Sequence, residues 1–229
     1  MQDYVRRILT SSVYEVAEET PLERMELLSA RLGAEVLLKR EDLQPVFSFK
    51  IRGAHNRISK LTAEERRRGV ICASAGKHAQ GVALSATRLG IRAVIVMPTT
   101  TPLIKIGAVR KLGGEVVLFG DGFDAARAHA EELAEKHGLV MVHPFDDPEV
   151  IAGQGTIGLE LLRQHPGAIG AIYVPVGGGG LAAGIAAIVK FLNPAIRVIG
   201  VEPEEAASMK AAIAAGHPVA LDQVGLFAD

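Results

Sequence analysis

Short apolar runs rich in β-branched residues recur along the chain, at 35–38, 70–73, 93–97, 115–118, 140–142, 171–176 and 197–201. Runs of this length predict strands buried on both faces, the habit of a parallel sheet. Between them the spacing turns helical, as at 125–136 and 181–191. Glycine closes several of these helices, for example at Arg88-Leu89-Gly90 and Lys111-Leu112-Gly113-Gly114. Strand, helix, strand at this rhythm predicts an α/β fold of open parallel sheets, whose ligands sit at the carboxyl ends of the strands. Function is therefore to be sought in the strand-to-helix turns.

Two turns are unusual. The apolar run Ile172-Tyr173-Val174-Pro175-Val176 leads into Gly177-Gly178-Gly179-Gly180-Leu181 and an alanine-rich helix. Glycines let backbone approach a ligand, and the free N–H groups and positive dipole end of a helix N-terminus suit a phosphate. No lysine follows in a GxxxxGK[ST] pattern, so a nucleotide-hydrolysing P-loop is disfavoured. Gly178 to Ala183 also satisfies G-x-G-x-x-A, and Glu202 closes the next strand where an acid could bind a ribose, so a dinucleotide-binding oxidoreductase stands as a second reading. The other turn is Ala73-Ser74-Ala75-Gly76-Lys77-His78-Ala79-Gln80-Gly81. Its small residues and hydroxyl form either a nest of N–H groups for a carboxylate or an ordinary serine cap. His78 is placed there for proton transfer or for packing.

A lysine completes the set. In Pro45-Val46-Phe47-Ser48-Phe49-Lys50-Ile51-Arg52-Gly53, Lys50 lies between apolar neighbours at the opening of a helix. Desolvation disfavours the charged amine and makes it a better nucleophile, although a lysine alone in such a place ordinarily buries only its stem. A reactive lysine, a phosphate cradle and a carboxylate nest together ask for pyridoxal 5'-phosphate, an aldehyde bearing a phosphate, acting on a small-molecule amino acid.

Composition narrows the partners. The chain has 229 residues, 48% hydrophobic and 22% charged, enough for one or two compact lobes. A net charge of -1 and an aromatic content of 4% supply neither a basic stripe nor stacking partners, so nucleic acid is not expected. No apolar run approaches the roughly 20 residues of a membrane span, and no secretory segment opens the chain, so a cytoplasmic protein without a membrane partner is expected. The single cysteine, Cys72, agrees with a reducing compartment, and the histidines at 55, 129, 137, 143, 165 and 217 show no metal-ligand spacing.

The segments Ser48-Phe49-Lys50-Ile51-Arg52-Gly53, Ser74-Ala75-Gly76-Lys77-His78-Ala79-Gln80-Gly81 and Val176-Gly177-Gly178-Gly179-Gly180-Leu181 resemble the three signatures of the fold-type II pyridoxal-phosphate enzymes, threonine and serine dehydratase group. The approach Leu38-Lys39-Arg40-Glu41-Asp42-Leu43-Gln44-Pro45 fits the same group, and Gly153-Gln154-Gly155-Thr156 and Gly216-His217-Pro218-Val219 bring it closest to the biosynthetic threonine dehydratases. The likeness runs from Thr20-Pro21-Leu22 to Val224-Gly225-Leu226-Phe227. It implies two open parallel-sheet lobes of the tryptophan synthase β-like kind with the cofactor between them, 1–50 and 151–229 forming a large lobe and 51–150 a small one.

By position, the resemblance implies that Lys50 carries the cofactor as a Schiff base and moves the substrate's Cα proton, with Phe49 beside the ring. Gly177, Gly178, Gly179, Gly180 and Leu181 would hold the phosphate, and Ser74, Ala75, Gly76 and His78 the substrate carboxylate. Lys77 stands where the family has an asparagine facing the cofactor's phenolic oxygen. Glu202, Ala206 and Ser208 fall at the spacing of a monovalent or divalent cation site in some relatives. The implied reaction is a lyase reaction, deamination of L-threonine and L-serine to 2-oxobutanoate and pyruvate with ammonia, in isoleucine biosynthesis. The chain ends at Asp229, before the remainder of the family's catalytic region, so a C-terminal truncation is expected, with association into a homo-oligomer over an open sheet edge. An inactive cofactor-binding fragment is the alternative that Lys77 and this ending suggest.

Overall fold

The computed structural model describes residues 1–221 and 225. The chain opens with α1 (Gln2–Leu9), followed by β1 (Leu22–Arg24), α2 (Glu26–Leu32), β2 (Leu37–Lys39) and α3 (Lys50–Ser59). A run of alternating elements follows: α4 (Ala63–Arg68), β3 (Val70–Ala73), α5 (Lys77–Arg88), β4 (Ala93–Met97), α6 (Leu103–Lys111), β5 (Glu115–Leu118), α7 (Phe123–His137) and β6 (Val140–Met141). The chain continues through α8 (Pro148–Gln164), β7 (Ala171–Pro175), α9 (Gly180–Leu192), β8 (Arg197–Val201) and α10 (Ser208–Ala215). None of the described helices is long and apolar enough to cross a membrane.

Strands β5, β4, β3 and β6 lie side by side in that order, all parallel. Because side chains alternate across a sheet, Val70, Cys72, Ile95 and Met97 enter the core under α5 and α6, while Ile71, Ala73, Val94 and Val96 face Ala126 and Ala130 of α7. Burial on both faces is why β3 and β4, in the middle of the sheet, read as unbroken apolar runs, whereas β5 at its edge is partly exposed. A second core gathers α1, α8 and α9 over the parallel pair β7 and β8, around Ile8, Ile157, Val174, Ile185 and Ile188. Helix α3 sends Ala54 and Ile58 into the first core, and its Ile51 packs with Val13, Ala17 and Val46 in a separate small cluster.

One expected strand differs in its pairing, and β5, β7 and β8, expected as buried, pair in parallel but are only partly buried. The run at 35–38 forms β2 at Leu37–Lys39, which pairs antiparallel with β1 and is partly exposed rather than buried in a parallel sheet. Its neighbour explains the change: the Lys39 ammonium turns inward to Glu160 at 2.6 Å, while Leu38 on the other face remains exposed. Of the terminal family-like stretch, Val224, Leu226 and Phe227 lie outside the described residues.

Candidate active site

Three separate sequence motifs converge on one short segment, 142–147, which leaves the carboxyl end of β6. The Val142 carbonyl accepts a hydrogen bond from His78 Nε2 at 2.9 Å, and the Pro144 carbonyl accepts one from Lys50 Nζ at 3.3 Å. Phe145 packs against Gly178 and Gly180. The segment is itself pinned. His143 Nδ1 accepts from the N–H groups of Phe145 at 3.3 Å and Asp146 at 2.7 Å, and Asp147 caps α8 by accepting from the N–H of Glu149 at 2.7 Å. Pro148 occupies the first turn of α8, where its missing N–H costs nothing.

Lys50 is the first residue of α3, with its own N–H donated to Ser48 Oγ at 3.3 Å. Burial lowers the pKa of its amine from the ordinary lysine value. The amine lies 5.6 Å from the centre of the Phe49 ring. Helix α5 presses on this end of α3: a Cβ on Gly81 would sit 3.3 Å from Ile51 Cα and 3.4 Å from the Lys50 carbonyl carbon. Glycine is what lets the lysine and the next motif come together.

That motif runs from Ser74 to the start of α5. Ser74 Oγ accepts from the Gly76 N–H at 3.1 Å, and a Cβ on Gly76 would meet nothing within 4 Å, so the helix begins at open space. His78 is buried, and that burial pushes its pKa down to about 4. A carbonyl only accepts, so the proton of the neutral ring sits on Nε2, facing Val142. Through this bond the buried His78 ring ties the start of α5 to the segment 142–147. Lys77 points the other way, exposed, with its ammonium 5.1 Å over the ring of Phe47. Phe47 is the one non-glycine among the described residues with positive φ, at 57°.

In the glycine run, Gly177 and Gly178 are exposed, Gly179 is left-handed with φ of 86°, and Gly180 is buried. A Cβ on Gly178 would fall on the Phe145 ring, and one on Gly180 would lie 2.5 Å from the Phe145 carbonyl oxygen. Gly177 has no such neighbour. The first N–H groups of α9 have no carbonyl one turn earlier to bond. A phosphate ester fits this cradle, and a partly desolvated amine held beside it fits an aldehyde. Leu181 packs into the second core.

Glu202 does something else. Its carboxylate accepts from the N–H groups of Met209 at 2.8 Å and Lys210 at 3.0 Å, at the start of α10. This removes the free acid on which the dinucleotide reading rested. Ala206 ends a short 3-10 turn and Ser208 begins α10. Among the described residues no three His, Cys, Asp or Glu side chains come together as metal ligands.

The sequence reading missed the framework behind the site. Helices α3 and α8 cross with backbones in contact, since a Cβ on Gly153 would lie 2.7 Å from both the Arg52 carbonyl oxygen and Gly53 Cα. On its next face α8 meets α9, where a Cβ on Gly155 would lie 2.9 Å from the Gly184 carbonyl oxygen. Thus α8 spans from the helix that begins at the lysine to the helix that begins at the glycine run. Glycines at 153, 155 and 158 inside one helix were the available signal, because each weakens a helix unless something must come close.

Known proteins resemble this chain along its whole length. The family of pyridoxal-phosphate dependent enzymes matches over residues 13–229. The chain is 59% identical over 227 residues to the biosynthetic chloroplastic threonine dehydratase of Arabidopsis thaliana, covering 99% of this chain and 38% of that protein. It is 57% identical to the biosynthetic L-threonine dehydratase of Escherichia coli K12, over 99% of this chain and 44% of that one. The chain thus spans less than half the length of these curated relatives. Among solved structures, the processed form of threonine deaminase isoform 2 from Solanum lycopersicum superposes with a TM-score of 0.97 at 58% identity, over 100% of this chain and 66% of that one. Maize serine racemase gives a TM-score of 0.92 at 35% identity, over 97% of this chain and 67% of that one.

Proposed function

As this chain belongs to the family of pyridoxal-phosphate dependent enzymes, with the α/β architecture of its fold-type II members, we propose that it deaminates L-threonine to 2-oxobutanoate and ammonia, and L-serine to pyruvate and ammonia. The observation that carries the site assignment is the meeting of Lys50, Phe145 and the glycine run through the segment 142–147. When bound, the cofactor supplies an electron sink for the pair released at the substrate's Cα.

The chain's own residues do the rest. Lys50 would supply the nucleophilic amine that holds the cofactor and would hold and move the substrate's Cα proton at Nζ; its lowered pKa suits both tasks. Gly177 to Gly180 and Leu181 would hold the phosphate on backbone N–H groups, Phe49 would pack beside the cofactor, and Ser74, Ala75 and Gly76 would receive the substrate carboxylate at the start of α5. His78 acts through Val142 as a neutral donor. Holding both anionic ends fixes the Cα–H bond against Nζ, a positioning effect worth several kcal/mol. Lys77 lies outside this arrangement, on Phe47.

In the same reading, 1–50 with 151–229 makes the large lobe and 51–150 the small one. The protein acts as a cytoplasmic homo-oligomer, with its product entering isoleucine biosynthesis. The test is formation of 2-oxobutanoate from L-threonine by the chain supplied with pyridoxal phosphate. The expected result is turnover abolished in Lys50→Ala. Turnover that survives this substitution overturns the role of Lys50, and cofactor binding without turnover returns the chain to a binding form.

A further inference from the structure

We infer that Phe145 is a positioning residue for the phosphate end of the site, a role resting on the functional reading above. Two of the four glycines are explained by Phe145 itself. A Cβ on Gly178 would fall on its ring, and one on Gly180 would lie 2.5 Å from its carbonyl oxygen and 3.1 Å from its Cα. A Cβ on Gly179 would meet only the end of the Met209 side chain, at 2.6 Å, and Gly177 has nothing against it, so the ring backs the run and leaves its Gly177 end for the ligand. The ring has a fixed place, because His143 meets it edge-on at 4.6 Å and 82° and binds the N–H groups of Phe145 and Asp146.

The preceding residue gives this position its consequence. The Pro144 carbonyl holds the Lys50 amine at 3.3 Å, so amine and glycine run are gauged from adjacent residues whose Cα atoms stand about 3.8 Å apart. A flat side chain at 145 therefore sets where the phosphate N–H groups stand relative to the nucleophile. Losing it lets the run relax and weakens the hold on phosphate, while the aldehyde end is untouched.

The experiment compares affinity for pyridoxal 5'-phosphate and for pyridoxal, by absorbance titration, in wild type, Phe145→Ala, Phe145→Leu, Gly178→Ala and the double variant G178A/F145A, with thermal melts to confirm folding. Phe145→Ala and Phe145→Leu are expected to bind the phosphorylated ligand about tenfold more weakly and pyridoxal unchanged, so that the preference for phosphate shrinks. Gly178→Ala should lose the same preference, and removing the ring in the double variant should restore part of it. Folded Phe145 variants that keep the full phosphate preference overturn the inference, as does a double variant that shows only the sum of the single losses. A wild type without any phosphate preference overturns the functional reading instead, so the two failures are distinct.

Discussion

The guanidinium of Arg52 and the carboxylate of Glu160, both fully buried, meet through hydrogen bonds of 2.5 and 3.0 Å and tie the helix that begins with Lys50 to α8. Arg52 also forms a two-pronged bond to Glu41 at 2.8 and 2.7 Å, and Glu160 receives Lys39 at 2.6 Å and the Tyr14 hydroxyl at 2.7 Å. Burial works to raise the Glu160 carboxyl, but Arg52, Lys39 and Tyr14 hold it below the usual carboxylate range. Two cations face two carboxylates, so the cluster is neutral as a whole and every member has partners.

Breaking it should be costly. Glu160→Ala leaves Arg52 and Lys39 with one carboxylate between them inside the protein, and a loss of about 3–5 kcal/mol is expected. Arg52→Lys should also destabilise, because an ammonium cannot span both Glu41 and Glu160. Urea unfolding checks both. A loss below about 1 kcal/mol for Glu160→Ala, the size of an exposed pair, would show that the cluster does not brace α3.

The helix crossing gives a prediction with an internal control. Gly153→Ala places a methyl against the backbone of Arg52 and Gly53, so it should cost about 1–3 kcal/mol and shift Lys50 relative to the glycine run, weakening cofactor binding. Gly107→Ala, in α6 with nothing within 4 Å of the new methyl, should stabilise by about 0.5–1 kcal/mol. Thermal melts of the two variants should move in opposite directions.

The pH dependence of stability follows from His78. Burial holds its pKa near 4 against the ordinary 6.5, so the unfolded chain takes up a proton that the native state refuses. Between about 6.5 and about 4, stability should fall as pH falls, by up to roughly 3 kcal/mol from this residue. His55 and His143, also lowered by burial, act in the same direction. The informative measurement is therefore a difference: H78Q should lose less stability than wild type between pH 7 and pH 5. Equal losses would contradict a buried neutral His78.

The central strands β3 and β4 were legible in the sequence because burial on both faces leaves unbroken apolar runs, and the turns at Ser74 and Gly177 were legible because helix starts carry their own residue types. The strand at 35–38 misled, since Lys39 turns inward to an ion cluster that no local pattern announces. Arg52 and Glu160 escaped notice for the same reason: they stand 108 residues apart and meet only through the crossing of α3 and α8. Phe145 was hidden in a segment with neither helical nor strand pattern, although its place after a parallel strand marks such segments as ligand-facing.

If Lys50 is the amine that takes the cofactor, reduction with borohydride after incubation with pyridoxal phosphate, followed by peptide mapping, will find it. The structure offers a discriminating comparison, because Lys77 is the exposed amine at the head of α5 whereas Lys50 is the one desolvated beside the glycine run. The pyridoxyl group is expected on Lys50, with Lys77 and the other lysines unlabelled. A map with no adduct on Lys50, or with Lys77 labelled equally, would contradict this assignment.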